Sequence, residues 1–539
     1  MTENNNPDFI VIGGGSAGCI VAARLAEARF KTVLLESGPR DLNPMIYVPA
    51  GVRYLFGKAK VAWQDAADSG PAAGDRKIGL QHGRVLGGSG SINGMIFIRG
   101  QAGDYDQWAQ MGCTGWSYDD VEPSFRSLEK YEGNREDRTL GEHRGEDGPL
   151  PVQHHRLNLP ITELFVKAAV EMGHEYKPDI NSGHPEGAAF TQMNRQGRFR
   201  RSSARAFLGR GRESGFLTVV TGATVQKLNF DGARCTGVTY TKSGKTVSLR
   251  SARETILSAG AIGSPSILQR SGIGDPDLLA TLNIPVIKEM HAVGQNLQDH
   301  YGLRLTYRIK NTKTVNDLAK MPRLFWEIGK WVVKGVGVLT TGVSTAMVYA
   351  RSRENLAHPD IQLMFSPSSF DLDQFGQLER LPGSLVTSVI ANPKSRGHVK
   401  ITTTDPLTPP EILTNYLSDP DDMRVMLAGI AEARRIMTAS IIAPYVEKAT
   451  FPTADVNGKE LEEFARQNGA TILHPVGTCK MGIGTDAVVD PRLRVHGISG
   501  LRVIDASIMP TISSGNTNAP TMMIGEKGAS MIIQDHEAQ

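Results

Sequence analysis

From Asp8 to Gly18 the chain runs Phe9-Ile10-Val11-Ile12 straight into Gly13-Gly14-Gly15-Ser16-Ala17-Gly18, and no other stretch limits the fold as much. Four apolar residues in a row suit a parallel strand covered on both faces. The glycines then turn it into a helix, Cys19 to Ala26, with Gly13 at the tight turn, Gly15 where a pyrophosphate approaches the backbone, and Gly18 where helix packs on strand. A second apolar run, Thr32 to Leu35, ends at Glu36, where an acidic partner for a ribose 2'-hydroxyl is expected. Strand, glycines, helix, strand and acid in that order predict an adenine dinucleotide, its ADP half held by Gly13, Gly15, Ser16, Ala17, Gly18 and Glu36. NAD and FAD satisfy this pattern equally.

A length of 539 residues allows two or more cores of ordinary size, and two domains are expected. The 59 basic and 56 acidic side chains leave a net charge of +3, which announces neither nucleic acid nor a polyanionic substrate. Cys19, Cys113, Cys235 and Cys479 are scattered, so the reading is no metal site, no disulfide framework and a reducing compartment. Met1 to Pro7 lacks the pattern of a secretory signal, and the apolar segment Val332 to Tyr349 is broken by Lys334 and three glycines. A cytoplasmic protein is expected, with peripheral contact at the inner face of a membrane left open.

The most basic stretch, Arg195 to Arg212, interleaves arginines with Phe199 and Phe207, yet without a net basic field it is read as structural rather than nucleic-acid binding. Farther along, strand-like segments at Asp360–Phe365, Ser384–Ala391 and His398–Thr402 argue for a second layered domain. The spacing of Met423, Val425, Met426, Ile430 and Ile436 predicts a helix over 421–439 that starts behind Asp419-Pro420. Glu254 to Ser258 reads as a strand turning into a helix that opens at Ser264-Pro265 and closes at Gly272.

Four stretches carry a resemblance. Gly83 to Gly100, crowded with small residues, is similar to the first signature of the glucose-methanol-choline (GMC) oxidoreductases, and Gly260 to Gly274 is similar to the second. Val293 to His300 and the run from His474 also resemble segments of that family, so the likeness spans nearly the whole chain.

The resemblance implies an α/β plus α+β protein: a Rossmann-like FAD-binding domain and a discontinuous substrate domain built on an antiparallel sheet. The expected parts are 1–158, 218–305 and 461–539 for FAD, and 159–217 and 306–460 for substrate. It further implies FAD contacts from Arg84, Gly88, Ser89, Asn93, Gly94, Met95, Ile96, Ala259, Asp505, Ala506, Asn518 and Thr521. Thr218–Val220 and Val225–Leu228 resemble paired short strands, with Val225 meeting the adenine through its backbone.

The implied activity is oxidation of a primary alcohol to an aldehyde, with hydride passing to flavin N5 and electrons moving on to a quinone-like acceptor or oxygen. His474 is the implied base, since imidazole titrates near physiological pH and Pro475 restrains the backbone before it. Spacing back from the last helix puts the second catalytic position on Asn516, with Asn518 as the near rival. Some relatives carry a histidine joined to the flavin where this chain has Ile92, so the FAD is expected to be non-covalent. A hydroxynitrile lyase with a non-redox FAD is the alternative activity, and the number of subunits is left open.

Overall fold

The computed structural model describes residues 6–537 apart from 56, 134–142, 156, 158 and 372–375. The stretch Met1 to Asn5 and the expected boundary at residue 158 lie outside the described residues. The first strand, Phe9–Ile12, is buried throughout and sits at the centre of a five-stranded sheet. In spatial order the strands are Leu217–Thr221, Thr32–Glu36, Phe9–Ile12, Glu254–Leu257 and Leu501–Val503, all paired in parallel. Helices Gly18–Glu27 and Asn518–Glu537 pack together and are tied by the Arg24–Glu526 ion pair at 2.9 Å. Loops leaving the C-terminal ends of these strands therefore converge at one edge, the usual place for a ligand in an open parallel sheet.

A second, antiparallel sheet has seven strands: Val446–Phe451, Tyr301–Ile309, Gly383–Ile390, Ile361–Ser366, Ala346–Ala350 and Gly187–Phe190 in spatial order, with Ala470–Thr471 paired to Tyr301–Ile309. Helix Pro420–Met437 lies on it and buries Met423, Val425, Met426, Ile430 and Ile436, the residues its spacing marked. Asp419 caps it by accepting from the Asp421 amide. Phe165 from helix Pro160–Glu171 stacks on Phe365 at 4.4 Å between ring centroids in the same core.

Three sequence readings differ from the structure. Thr218–Val220 and Val225–Leu228 are not paired: the first lies at the edge of the parallel sheet, while the second belongs to an antiparallel ribbon with Arg234–Lys242. Gly222, at φ 67°, makes the turn between the two sheets. Strand His398–Lys400 stands outside the seven-stranded sheet, pairing with Glu411–Leu413 beside the hairpin Ala62–Asp68 and Lys77–Gly83.

The helix after Glu254–Leu257 begins at Gly260, a turn earlier than its proline signalled, and runs to Arg270. Pro265 therefore sits inside the helix and has no N–H to offer the Ala261 carbonyl. The Thr478 hydroxyl donates to that carbonyl at 2.5 Å instead, which docks the segment after His474 onto the helix. Thr478→Val keeps the shape and strands a buried acceptor. It is expected to cost about 1–3 kcal/mol of stability, measured by chemical or thermal denaturation.

Candidate active site

The turn after the first strand is closed by main chain alone. Gly13 adopts φ 101°, and a Cβ on Gly18 would lie 2.0 Å from the Gly13 carbonyl oxygen, so neither position accepts a side chain. Gly15 is different: a Cβ there would meet only the Ser258 carbonyl oxygen, at 3.9 Å, and the residue faces a cavity of ≈ 1450 Å³. Ser16, Ala17 and Glu36 line the same cavity at this end, while Gly18 stays behind the turn. The Glu36 carboxylate accepts from the Gly14 amide at 2.9 Å and from the Gly38 amide at 2.7 Å. Burial pushes this carboxyl up to about 7, against the pull of the two amides and of Arg84.

The stretch Gly83 to Gly100 lies directly over this turn. Gly87 donates its N–H to the Gly14 carbonyl at 2.6 Å, and a Cβ on Gly88 would come within 2.7 Å of the Gly15 Cα. Arg84, Gly88, Ser89, Asn93, Gly94, Met95 and Ile96 all line the cavity. Asn93 fixes their path: its side-chain oxygen accepts from the Met95 amide at 3.0 Å and from Arg200 at 2.6 Å. Arg200 is buried, which pulls it down to about 9, and it also donates to the Ile46 carbonyl. The basic stretch thus spends Arg200 on this loop and Arg205 on Asp41, at 2.7 Å. Val225, Ala259, Asp505, Ala506, Asn518 and Thr521 complete the expected set on the cavity wall. Asp505 accepts from the Gly260 amide at 2.8 Å and the Ser264 hydroxyl at 2.6 Å, joining two strand ends.

His474 lies on the wall of the same cavity, and its ring is held from both sides. Nε2 is 3.1 Å from the Asn516 amide nitrogen, and Nδ1 is 3.0 Å from Nδ1 of the buried His300. His300 Nε2 in turn stands 2.9 Å from the Ala391 carbonyl oxygen. A carbonyl only accepts, so His300 carries its proton on Nε2 and presents a lone pair at Nδ1. His474 must then donate from Nδ1, which leaves the lone pair on Nε2. Burial pulls His300 down to about 4; burial, with His300 as a smaller contribution, holds His474 well below the ordinary 6.5, so both rings are neutral near pH 7.

The backbone under His474 is strained and supported. Leu473 adopts φ 68°, uncommon for a side chain of its size. Its amide donates to the Thr471 hydroxyl at 2.8 Å, and the His474 amide donates to Asp299 at 2.8 Å. The other Asp299 oxygen accepts from Tyr416 and Thr471, each at 2.5 Å, and burial raises this acid to about 6. Pro475 therefore shares the restraint of His474 with Asp299. Asn516 and Asn518 separate cleanly: Asn516 meets His474, whereas Asn518 accepts from the Ser16 hydroxyl at 2.7 Å, at the glycine turn.

Asp299 and His300 are the site residues that sequence reasoning passed over. Both lie in the Val293 to His300 segment, where the resemblance was noted without roles, and their partners come from residues 391 to 474.

Two family profiles described as GMC oxidoreductase match residues 7–302 and 393–525. The chain is 38% identical over 544 residues to the oxygen-dependent choline dehydrogenase of Escherichia coli K12, covering 97% of this chain and 95% of that one. Among solved structures it is similar to pyridoxine 4-oxidase from Mesorbium loti, with a TM-score of 0.88, 27% identity and coverage of 99% and 100% of the two chains. Formate oxidase from Aspergillus oryzae RIB40 gives a TM-score of 0.91 at 26% identity, with both chains covered in full.

The role of Asp299 in holding the histidine can be separated from its charge. Asp299→Asn keeps an acceptor for the His474 amide and meets hydroxyls that can accept in turn, so stability is expected to stay within about 1 kcal/mol. Asp299→Leu strands the amide and both hydroxyls, and is expected to cost at least about 1–3 kcal/mol, read from denaturation curves of the two variants.

Proposed function

The chain belongs to the GMC oxidoreductases and is an FAD-dependent oxidoreductase of CH–OH donors; from that premise we propose that it oxidises an uncharged primary alcohol to the aldehyde, with His474 as base and Asn516 as hydrogen-bond donor. The observation that carries this reading is the chain of contacts Ala391–His300–His474–Asn516, which puts the His474 lone pair on Nε2 beside the Asn516 amide, where a substrate hydroxyl would take the place of Asn516 as its partner. His474 Nε2 takes the hydroxyl proton, and the resulting imidazolium keeps its Nδ1–H on His300. Asn516 donates to the substrate oxygen as negative charge grows on it. His300 is a positioning residue that keeps His474 in the tautomer a base requires.

FAD fits the residues present: a main-chain cradle at Gly13 to Gly18 with Glu36 beside it, and one cavity reaching from that cradle to His474. We assign its ADP half to Gly13, Gly15, Ser16, Ala17, Glu36 and Val225, with Gly18 closing the turn behind them, and the remainder to Arg84, Gly88, Ser89, Asn93 to Ile96, Ala259, Asp505, Ala506, Asn518 and Thr521. Bound there, FAD supplies the hydride acceptor. The division into cofactor parts 1–158, 218–305 and 461–539 and substrate parts 159–217 and 306–460 belongs to the same proposal.

An uncharged substrate is favoured by the charge of the cavity. Among the described lining residues the carboxylates are Glu36, Asp65 and Asp505; Asp65 is paired with His82 at 2.8 Å, and Glu36 and Asp505 hold main-chain amides. Gly302, on strand Tyr301–Ile309, lines the wall and pairs with Ala470, four residues before His474. Met364, Leu385 and Phe451 add apolar surface to the cavity wall. With each lining carboxylate engaged within the protein, a cationic alcohol finds no carboxylate for its charge, whereas an aliphatic or aromatic alcohol finds matching surface.

Anaerobic bleaching of the flavin by a panel of alcohols, repeated with oxygen and with a soluble quinone, tests the reaction and its acceptor. Reduction by neutral primary alcohols is expected; cyanide release from mandelonitrile over an oxidised flavin would mark the lyase instead. His474→Ala is expected to slow flavin reduction by roughly two orders of magnitude or more with FAD still bound, and Asn516→Ala by less. His300→Leu is expected to lower the rate at least about tenfold, and His300→Gln, which retains an acceptor, to restore part of it. In the parent enzyme the rate should hold steady as pH falls to 6.5 and decline only below it, because protonation of the depressed His474 removes the base.

The FAD is proposed to be non-covalent at this site, because Ile92, on the cavity wall, offers only hydrocarbon. Acid precipitation should release all the flavin into the supernatant; colour retained in the pellet would overturn the assignment.

A further inference from the structure

Helix Arg323–Lys334 turns its apolar residues the wrong way for a core. Its buried residue is Glu327, an acid neutralised by Lys330 one turn on, at 2.5 Å. Phe325, Trp326, Val332 and Val333 face outward, Trp326 71% and Val333 77% exposed, and Met321 just before the helix continues the stripe. These positions recur at helical spacing on one side, so they form a single ridge. Phe199 extends it: half-exposed, it meets Trp331 edge to face at 5.7 Å.

Cations border the ridge. Lys320, Arg323 and Lys334 flank it, and Arg198 donates to the Trp331 and Val332 carbonyls at the end of the helix. Lys320 stands 3.6 Å from Asp317 and Lys330 neutralises Glu327, so Arg323, Lys334 and Arg198 carry the net positive charge of the border. On its inner side the same helix gives Leu324 to the cavity wall, beside Ala319, Val338 and Leu339. A convex apolar ridge with a tryptophan and a cationic margin suits a fluid anionic surface, which needs no matching groove.

We propose that helix Arg323–Lys334 lies in the interface of an anionic lipid bilayer, with Phe325, Trp326, Val332 and Val333 in the acyl boundary and Lys320, Arg323 and Lys334 at the headgroups. The cavity wall at Leu324 then faces the membrane. Lipid binding of this surface does not depend on which reaction the cavity performs, so its test is independent of the alcohol assignment.

The holoenzyme is mixed with phosphatidylcholine vesicles containing a quarter phosphatidylglycerol and sedimented. The parent protein is expected to pellet with these vesicles, less with pure phosphatidylcholine and less at high salt. The triple variant Phe325→Ser/Trp326→Ser/Val333→Ser should partition about a hundredfold more weakly. Its flavin content and its flavin reduction by a water-soluble alcohol serve as the folding control and should be unchanged. Trp326→Phe, which keeps the ridge, should bind like the parent and lack the part of the blue shift in emission on vesicles that Trp326 contributes. A parent protein that stays in the supernatant, a folded triple variant that binds as the parent does, or a parent dimer that the triple variant dissociates would each overturn the proposal. Should the triple variant lose its flavin, the Trp326→Phe emission difference decides alone, and no difference on vesicles overturns it.

Discussion

The contact on which the molecule turns is one of main chain against main chain. Gly13 and Gly18 close the turn after the first strand, and Gly87-Gly88 settles over Gly14-Gly15 with a hydrogen bond of 2.6 Å. A side chain at Gly13, Gly18 or Gly88 would push the segments apart by more than the van der Waals slack available. Their closeness leaves Gly15 bare toward the cavity and fixes where one end of a long ligand begins. The far end follows from the strands: residues carried on Leu501–Val503 and on the antiparallel sheet arrive where that cavity ends, at His474 and Asn516.

The polar groups around the histidine are arranged in a buried setting, where a wrong proton is costly. Two adjacent imidazoles avoid mutual repulsion by both remaining neutral, and the Ala391 carbonyl breaks the symmetry between them. Asp299 supports the strained backbone from below without touching either ring through its side chain. Support of the base and choice of its tautomer are therefore separate tasks given to neighbouring residues of one segment.

Much of this was legible in the residues. The glycine turn and the helix over Pro420–Met437 follow from local rules, and the structure agrees with both; motif spacing pointed to Asn516, which the fold brings to 3.1 Å from His474. What stayed hidden depended on long-range partners. Gly222 sends consecutive strands into different sheets, a turn that the apolar runs on either side do not encode. Proline at Pro265 marked a helix start because its missing partner, the Thr478 hydroxyl, lies more than two hundred residues away. His300 looked like part of a signature, and its hydrogen bonds to Ala391 and His474 exist only in the fold.

The entry to the last helix ties two parts of the cavity wall together, since Asn516, just before it, meets the histidine and Asn518, its first residue, meets Ser16 at the glycine turn. A ribosome that has made the glycine turn has produced only the first few residues of a site whose closing groups come some five hundred residues later. During synthesis the parallel sheet also lacks Leu501–Val503, its last strand. The edge of that sheet stays unpaired until the strand is made, and the cavity wall is complete only once translation has passed residue 521.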